Sequence, residues 1–141
     1  MISVVIQNNH GVPQVEGVDS EHHNLSHHGR DPKRIQQLLK IERAVMGCFG
    51  EFLTAMKAKR EAGSTLLDNT TTLFGSNLGN ASAHDPRNNP ILLAGGALKH
   101  GRYLAHDAKN NTPLCNLFVH MLNQMNLNTD KFASSTGELT L

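Results

Sequence analysis

The amino-acid sequence predicts a mixed α/β fold in which a small sheet of a few strands is packed by two amphipathic helices. Apolar residues recur every three or four positions after Asp31-Pro32 and again after Thr112-Pro113, which indicates the two helices. Short apolar or β-branched runs bounded by glycine, proline and asparagine indicate the strands. A length of 141 residues favours one domain, residues 1–141, or one piece of a larger domain.

The longer helix is expected to begin at Asp31-Pro32 and to run to about Ala62. Aspartate accepts hydrogen bonds from the free amides of a first turn, and proline at the first helical position loses no needed hydrogen bond. Glu42 falls on the apolar stripe of this helix. It either reaches a polar partner such as Arg43 or marks the place where the helix passes a functional site.

Two polar loops are expected beside the strands. The predicted strands are residues 2–6, 70–75, 90–96 and, more briefly, 101–104. The consecutive apolar residues of 90–96 suit a strand covered on both faces. Loops 8–30 and 76–89 follow two of these strands, and ligands of open α/β sheets bind at the carboxyl ends of strands. We therefore expect the two loops to meet at one edge of the sheet.

Composition excludes several classes of function. Lys plus Arg is 13 and Asp plus Glu is 12, a net charge of +1 that recruits neither nucleic acid nor an anionic membrane. No apolar stretch approaches the roughly 18 residues of a spanning helix, and no secretion signal opens the chain, so the sequence as it stands predicts a cytoplasmic protein. It also lacks the nucleophile elbow, the phosphate-binding loop and the Cys-x-x-Cys pair of familiar enzyme classes.

Histidine is the residue type that stands out, with nine in the chain and four of them within residues 22–28. Neutral imidazole and carboxylate are ligands of zinc and similar divalent metals. Adjacent histidines point apart in an extended chain, so at most one of each pair should bind a given ion while its neighbour orients or caps. The alternative is a set of solvated loop histidines. The candidate ligands of zinc or another divalent metal are Asp19, His23, His27, His28 and, from the second loop, His84.

Several motifs together resemble one family of uncharacterised bacterial proteins, the domain of unknown function 1552 family. They are HHNLSHHG at 22–29, TLLDNT at 65–70, GS at 75–76, His84, LLAGG at 92–96 and TPL at 112–114. The resemblance runs through nearly all of the chain and implies the carboxyl-terminal part of an alkaline-phosphatase-like or sulfatase-like protein. Full-length members are exported, which implies a periplasmic or extracellular location. The implied partner is the missing amino-terminal half or a self-associated copy.

The wider phosphatase and sulfatase superfamily has a strand that ends in Ser-Asp-His-Gly, where this chain has Ser76-Asn77-Leu78-Gly79. Asp19 and His23 fit the superfamily's Asp-x-x-x-His pair, and His84 fits its later histidine. The resemblance therefore implies one metal position kept and a second one lost, with His22 and Asn77 assigned to substrate binding. The implied function is a metal-dependent hydrolase of phosphate or sulfate esters, inactive alone, and the alternative is a non-catalytic extracellular or surface binding module.

Two serines are candidates for a nucleophile within the chain. Ser26 lies in the histidine-rich segment and Ser76 follows a predicted strand, but the sequence places no general base beside either. In the superfamily plan the nucleophile and the first metal carboxylate lie upstream of Met1. The sequence therefore leaves the catalytic residue unidentified, and whether the chain is an enzyme stays open.

Overall fold

The computed structural model describes residues 1–6, 11–96, 98–107 and 109–141. Helices and small antiparallel sheets of a few strands make up the chain, so the predicted mixed α/β class is confirmed. The chain divides into two compact units, and each is described by itself. The first unit comprises Met1–Ala58 and Ser76–Pro90, and the second comprises Lys59–Gly75 and Ile91–Leu141.

The first unit is built on two helices, α1 (His22–Ser26) and α2 (Pro32–Ala58). The predicted start of α2 is confirmed, because Asp31 Oδ1 accepts hydrogen bonds from the backbone N–H groups of Lys33 at 2.7 Å and Arg34 at 3.4 Å. The helix ends four residues before the predicted Ala62. Residues 60–65 form a tight hairpin instead, and its turn residues Ala62 and Gly63 both have positive φ. A backbone with positive φ cannot continue the α-helix.

Helix α1 corrects the prediction that residues 8–30 form one loop without regular structure; residues 8–10 of that loop lie outside the described ranges. Leu25 is only 1% exposed, and α1 packs on α2. The Ser26 hydroxyl donates to the His23 carbonyl at 2.7 Å, inside the same turn. Burial of Leu25 against the longer helix stabilises a segment too short to be helical alone.

Two predicted strands are absent from the described part of the chain. Residues 2–6 and 101–104 have no regular secondary structure, and Ile2 and Tyr103 are almost fully exposed. A β-branched run favours an extended backbone, but a strand is stable only when another strand pairs with it. Neither segment has such a partner among the described residues.

The second unit contains two antiparallel pairs, β1 (Arg60–Glu61) with β2 (Ser64–Thr65) and β3 (Thr71–Gly75) with β4 (Ile91–Gly95). The strands predicted at 70–75 and 90–96 are therefore confirmed within one residue at each end. The expectation that the second is covered on both faces is wrong, because Leu92 is 45% exposed. Antiparallel strands also share no carboxyl edge, so the β3–β4 pair has no edge of the predicted kind.

Helix α3 (Leu114–Gln124) follows Pro113 as predicted and buries Leu117 and Val119. The irregular segment after it is fastened to the helix by hydrogen bonds. Asn116 is buried, its side chain exchanges hydrogen bonds with Thr136 and its carbonyl accepts from the Leu139 N–H. A tail without regular structure is thus held by side-chain and backbone bonds to one helix.

A second contact between α3 and the tail involves an acid. The Glu138 carboxylate accepts hydrogen bonds from Asn123 Nδ2 at 2.7 Å and His120 Nδ1 at 2.8 Å. These two bonds, in that order, lower the pKa of Glu138.

No helix in the described part of the chain has an apolar stretch long enough to cross a membrane.

Candidate metal centre

Three imidazole rings lie together in the first unit: those of His23, His27 and His84. The Nε2 atoms of His27 and His84 are 3.1 Å apart, and their ring centroids lie 4.7 Å apart with the planes nearly perpendicular. The His23 ring stands edge-on to that of His27 at a centroid distance of 4.9 Å. The histidines of the two polar loops therefore meet in space, as the sequence predicts.

Helix α1 sets the positions of His23 and His27. They are four residues apart, and the His27 N–H donates to the His23 carbonyl at 3.3 Å, so both rings lie on the same face of a single helical turn. The buried Leu25 side chain, two residues from each, holds this turn in the unit. An extended chain would have separated these rings, so the helix accounts for the cluster.

A small loop presents His84. Asn80 caps a single 3-10 turn, Ala81–Ala83, by accepting a hydrogen bond from the Ala83 N–H at 3.1 Å. Asn80 and Asp85 then pair through their backbones, which closes the loop at its base. His84 sits at the end of this turn with a left-handed φ of 51°. A non-glycine residue there costs about 1 kcal/mol or more, which the closed loop offsets.

The other histidine of each adjacent pair bonds elsewhere. His22 Nε2 donates to Glu42 Oε1 of α2 at 2.9 Å, and this hydrogen bond raises the pKa of His22. His28 Nδ1 accepts from the Arg30 N–H at 3.0 Å, which caps the turn that leads into α2. Glu42 thus has a polar partner, but on α1 and not Arg43. One ring of each pair contacts another ring of the cluster; of the remaining two, His22 bonds a carboxylate of α2 and His28 bonds a backbone N–H.

The carboxylates lie away from the three rings. Asp85 follows His84, but its two oxygens accept from Arg87 at 2.9 and 2.8 Å, and these bonds lower the pKa of Asp85 to about 2. Asp19 is exposed and its backbone N–H donates to Gln37. Among the described residues, no hydrogen bond or ring contact brings Asp19 or Asn77 to the histidines.

The separation of the His27 and His84 nitrogens suits two ligands of one ion. With Zn–N bonds of about 2.0–2.1 Å, two nitrogens at an angle between square and tetrahedral lie about 2.9 to 3.4 Å apart. The same separation also suits a hydrogen bond between opposite tautomers. Within the part of the chain that the structure describes, no group of three or more histidine, cysteine or acidic side chains is placed so that it could hold a metal ion. A third ligand, His23, would have to rotate its exposed ring.

The sequence indicates that the three rings belong to one cluster, but it does not indicate Glu42 as the partner of His22. The available signal was Glu42 itself, a charged residue at a position where the helical period expects an apolar one. Arg87 donates hydrogen bonds to the Asp85 carboxylate two positions away. The sequence shows Arg87 only as one residue of a polar loop and does not indicate this pairing.

No family model, curated protein or solved structure matches the chain.

Proposed function

We propose that the first unit binds a divalent transition metal, zinc foremost, through His23, His27 and His84, as part of a hydrolase-type site for phosphate or sulfate esters. The observation that carries this proposal is the 3.1 Å separation of the Nε2 atoms of His27 and His84, which come from segments 57 residues apart. Two such rings converge on one point only if the fold holds both loops in place. His23, one helical turn from His27, is the third ligand.

Three neutral imidazole ligands would leave the positive charge of a metal ion uncompensated. A zinc ion bound there would supply a Lewis acid able to polarise an ester oxygen. The chain's own residues bind and orient. His22 and Glu42 hold α1 against α2, while Asn80 fixes the turn that ends at His84. The exposed His23 ring leaves the approach to this point open to solvent and to a substrate.

Neither Ser26 nor Ser76 is activated as a nucleophile. The Ser26 hydroxyl donates to a backbone carbonyl of its own helix, and the Ser76 hydroxyl accepts from the Leu78 N–H at 3.2 Å. Neither is bonded to a base that would take its proton. We therefore assign this chain the binding and orientation of the ester and no nucleophile.

The resemblance to the domain of unknown function 1552 family supports the same reading. In that family's plan the nucleophile comes from a preceding segment, and the full-length protein is exported. Asp19 and His28 then remain outside the ligand set proposed here, because Asp19 has no contact with the three rings among the described residues and His28 caps a turn.

Metal analysis tests the proposal. Protein stripped with a chelator and dialysed against zinc should retain one zinc ion per chain, while His27→Ala and His84→Ala each weaken binding by at least about tenfold. His106→Ala, which removes an exposed histidine outside the cluster, is the matched control. Zinc retention that is the same in all four proteins contradicts the proposal.

A non-catalytic binding module is the second candidate. Asn77 and Leu78 stand where the superfamily has an acid and a histidine, and the structure leaves Leu78 half-buried and unable to ligate. Assays with p-nitrophenyl phosphate and sulfate separate the two. Zinc-dependent turnover that His84→Ala abolishes supports a hydrolase, and so does zinc-dependent binding of the esters without turnover, because the chain is assigned no nucleophile. Zinc binding with neither turnover nor zinc-dependent affinity for the esters supports the module.

A further inference from the structure

A pocket of about 390 Å³ lies beside the histidine cluster, between the turn that precedes α2 and the turn that ends at His84. Its position follows from the chain itself, since His28 and Ala83 line it and are the immediate neighbours of His27 and His84. Each histidine of the His27–His84 contact is therefore one position in the sequence from a residue that lines the pocket. The lining residues are His28, Gly29, Arg30, Asn80, Ser82 and Ala83.

We infer that this pocket is the subsite for the tetrahedral oxyanion of the substrate, phosphate or sulfate, and that Arg30 is the residue that selects it. The inference rests on the proposed function, because the anion would lie next to the metal. Arg30 is the one lining residue with a permanent charge, and no carboxylate lines the pocket. Arginine recognises phosphate and sulfate through its fork of N–H donors.

The guanidinium of Arg30 is available for such a ligand. Within the described ranges its side chain takes part in no hydrogen bond or ion pair, whereas Arg87 in the same unit is bound to Asp85. Ser82, half-buried in the opposite wall, adds a hydroxyl donor. A larger pocket in the second unit, lined by Asp130 and Glu138, has the opposite charge and does not suit an anion.

The backbone at Arg30 allows a clean substitution. Its φ is 66°, in the left-handed region that glycine adopts without strain and arginine does not. Arg30→Gly therefore removes the side chain and relieves the backbone in one step. We expect a denaturation curve to show stability kept or raised, and with that result loss of binding is not due to failure to fold.

The experiment is a calorimetric titration of the full chain with inorganic phosphate and, separately, with sulfate, in zinc-loaded and zinc-free protein. We expect Arg30→Gly to weaken the binding of both anions by at least about tenfold, Arg30→Lys to weaken it less, and zinc affinity to stay unchanged. Arg102→Gly, which removes an exposed arginine elsewhere, is the matched control and should bind as the parent does.

Each result separates this inference from the proposed function. Zinc binding with anion affinity that does not depend on Arg30 overturns the subsite and leaves the metal site standing. Absence of zinc binding overturns the metal site, and the subsite then stands only if zinc-free protein binds the anion through Arg30. Phosphate affinity lost in Arg30→Gly while sulfate affinity is kept overturns the assignment to a shared oxyanion and restricts Arg30 to phosphate.

Discussion

His22 is the residue whose charge state bears on how firmly α1 is held. Its protonated ring donates to Glu42 at 2.9 Å, and the bond to this carboxylate is the main cause of its raised pKa, partly offset by desolvation. Because the folded-state pKa lies above the unfolded value of 6.5, the pair stabilises fully below that pH. The contribution is lost as pH rises through the folded-state pKa.

We expect Glu42→Gln to bring the pKa of His22 down and to make stability less dependent on pH between about 6 and 8. The effect on the free energy of unfolding should be less than about 1 kcal/mol, because both side chains are partly exposed and solvent screens the pair. A titration of the ring proton by NMR in both proteins measures it. An identical His22 pKa in the two would show that Glu42 does not stabilise the charge.

At this scale the residue types led to the prediction of metal chemistry, which stays a prediction, and packing decides the hydrogen-bond partners. Clustered imidazoles indicated a metal ligand set from the sequence alone, since no other side chain combines that basicity with that ligand strength. The choice of Glu42 by His22 could not be read in the same way. It depends on where α1 lies against α2, and that depends on the burial of Leu25.

At the scale of elements, the start of α2 depends on a single carboxylate. Asp31 accepts hydrogen bonds from two first-turn N–H groups that otherwise have no helical partner. We expect Asp31→Ala to cost about 1 kcal/mol, seen as a lower urea midpoint with an unchanged slope, and Asp31→Asn to restore most of it. Equal midpoints for the alanine variant and the parent would mean that the cap does not contribute.

Gly95, at the end of β4, is required for two reasons at once. Its φ is 79°, and a Cβ there would collide with the backbone carbonyl oxygens of Thr70 and Leu67. Gly63 has a similar φ of 83° with open space around it. Gly63→Ala should therefore cost roughly 1–2 kcal/mol for the conformation alone.

Gly95→Ala should cost about 1–3 kcal/mol more than Gly63→Ala, because the overpacking is added to the same backbone strain. Chemical denaturation of the two variants measures the difference directly. If both lose the same stability, the close approach of the backbone around Gly95 does not contribute.

Periodicity predicted the long helices and failed for short elements. Helix α2 and helix α3 repeat their apolar positions over several turns, so the pattern was distinct. A five-residue helix such as α1 has too few positions to show a period, and its stability comes from tertiary contact. The strand predicted at residues 2–6 is wrong for the opposite reason: their composition favours a strand, but no described strand pairs with them.

At the scale of the whole molecule, the cluster depends on burial in the first unit. Leu25 lies between His23 and His27 in the sequence and is 1% exposed, so it anchors the turn that carries both rings. We expect Leu25→Ala to cost about 2–5 kcal/mol and also to weaken zinc binding in protein that remains folded. Met56→Ala, at the far end of α2, is the matched control, because it removes buried volume without touching α1.

Zinc affinity separates the two variants. We expect both variants to lose a comparable amount of stability and only Leu25→Ala to lose zinc affinity. That result would show that α1 holds the site in place. Affinity retained in the folded Leu25→Ala protein would show that the rings do not need this anchor.

The central claim is that His23, His27 and His84 share one metal ion, and the most direct measurement is a zinc titration of ¹⁵N-labelled protein followed through the histidine ring nitrogens. We expect these three rings to shift together and to saturate at one equivalent of zinc, while the signals of the exposed rings of His100 and His106 stay unchanged. Shifts confined to other histidines, or three rings that respond with different stoichiometries, would contradict it.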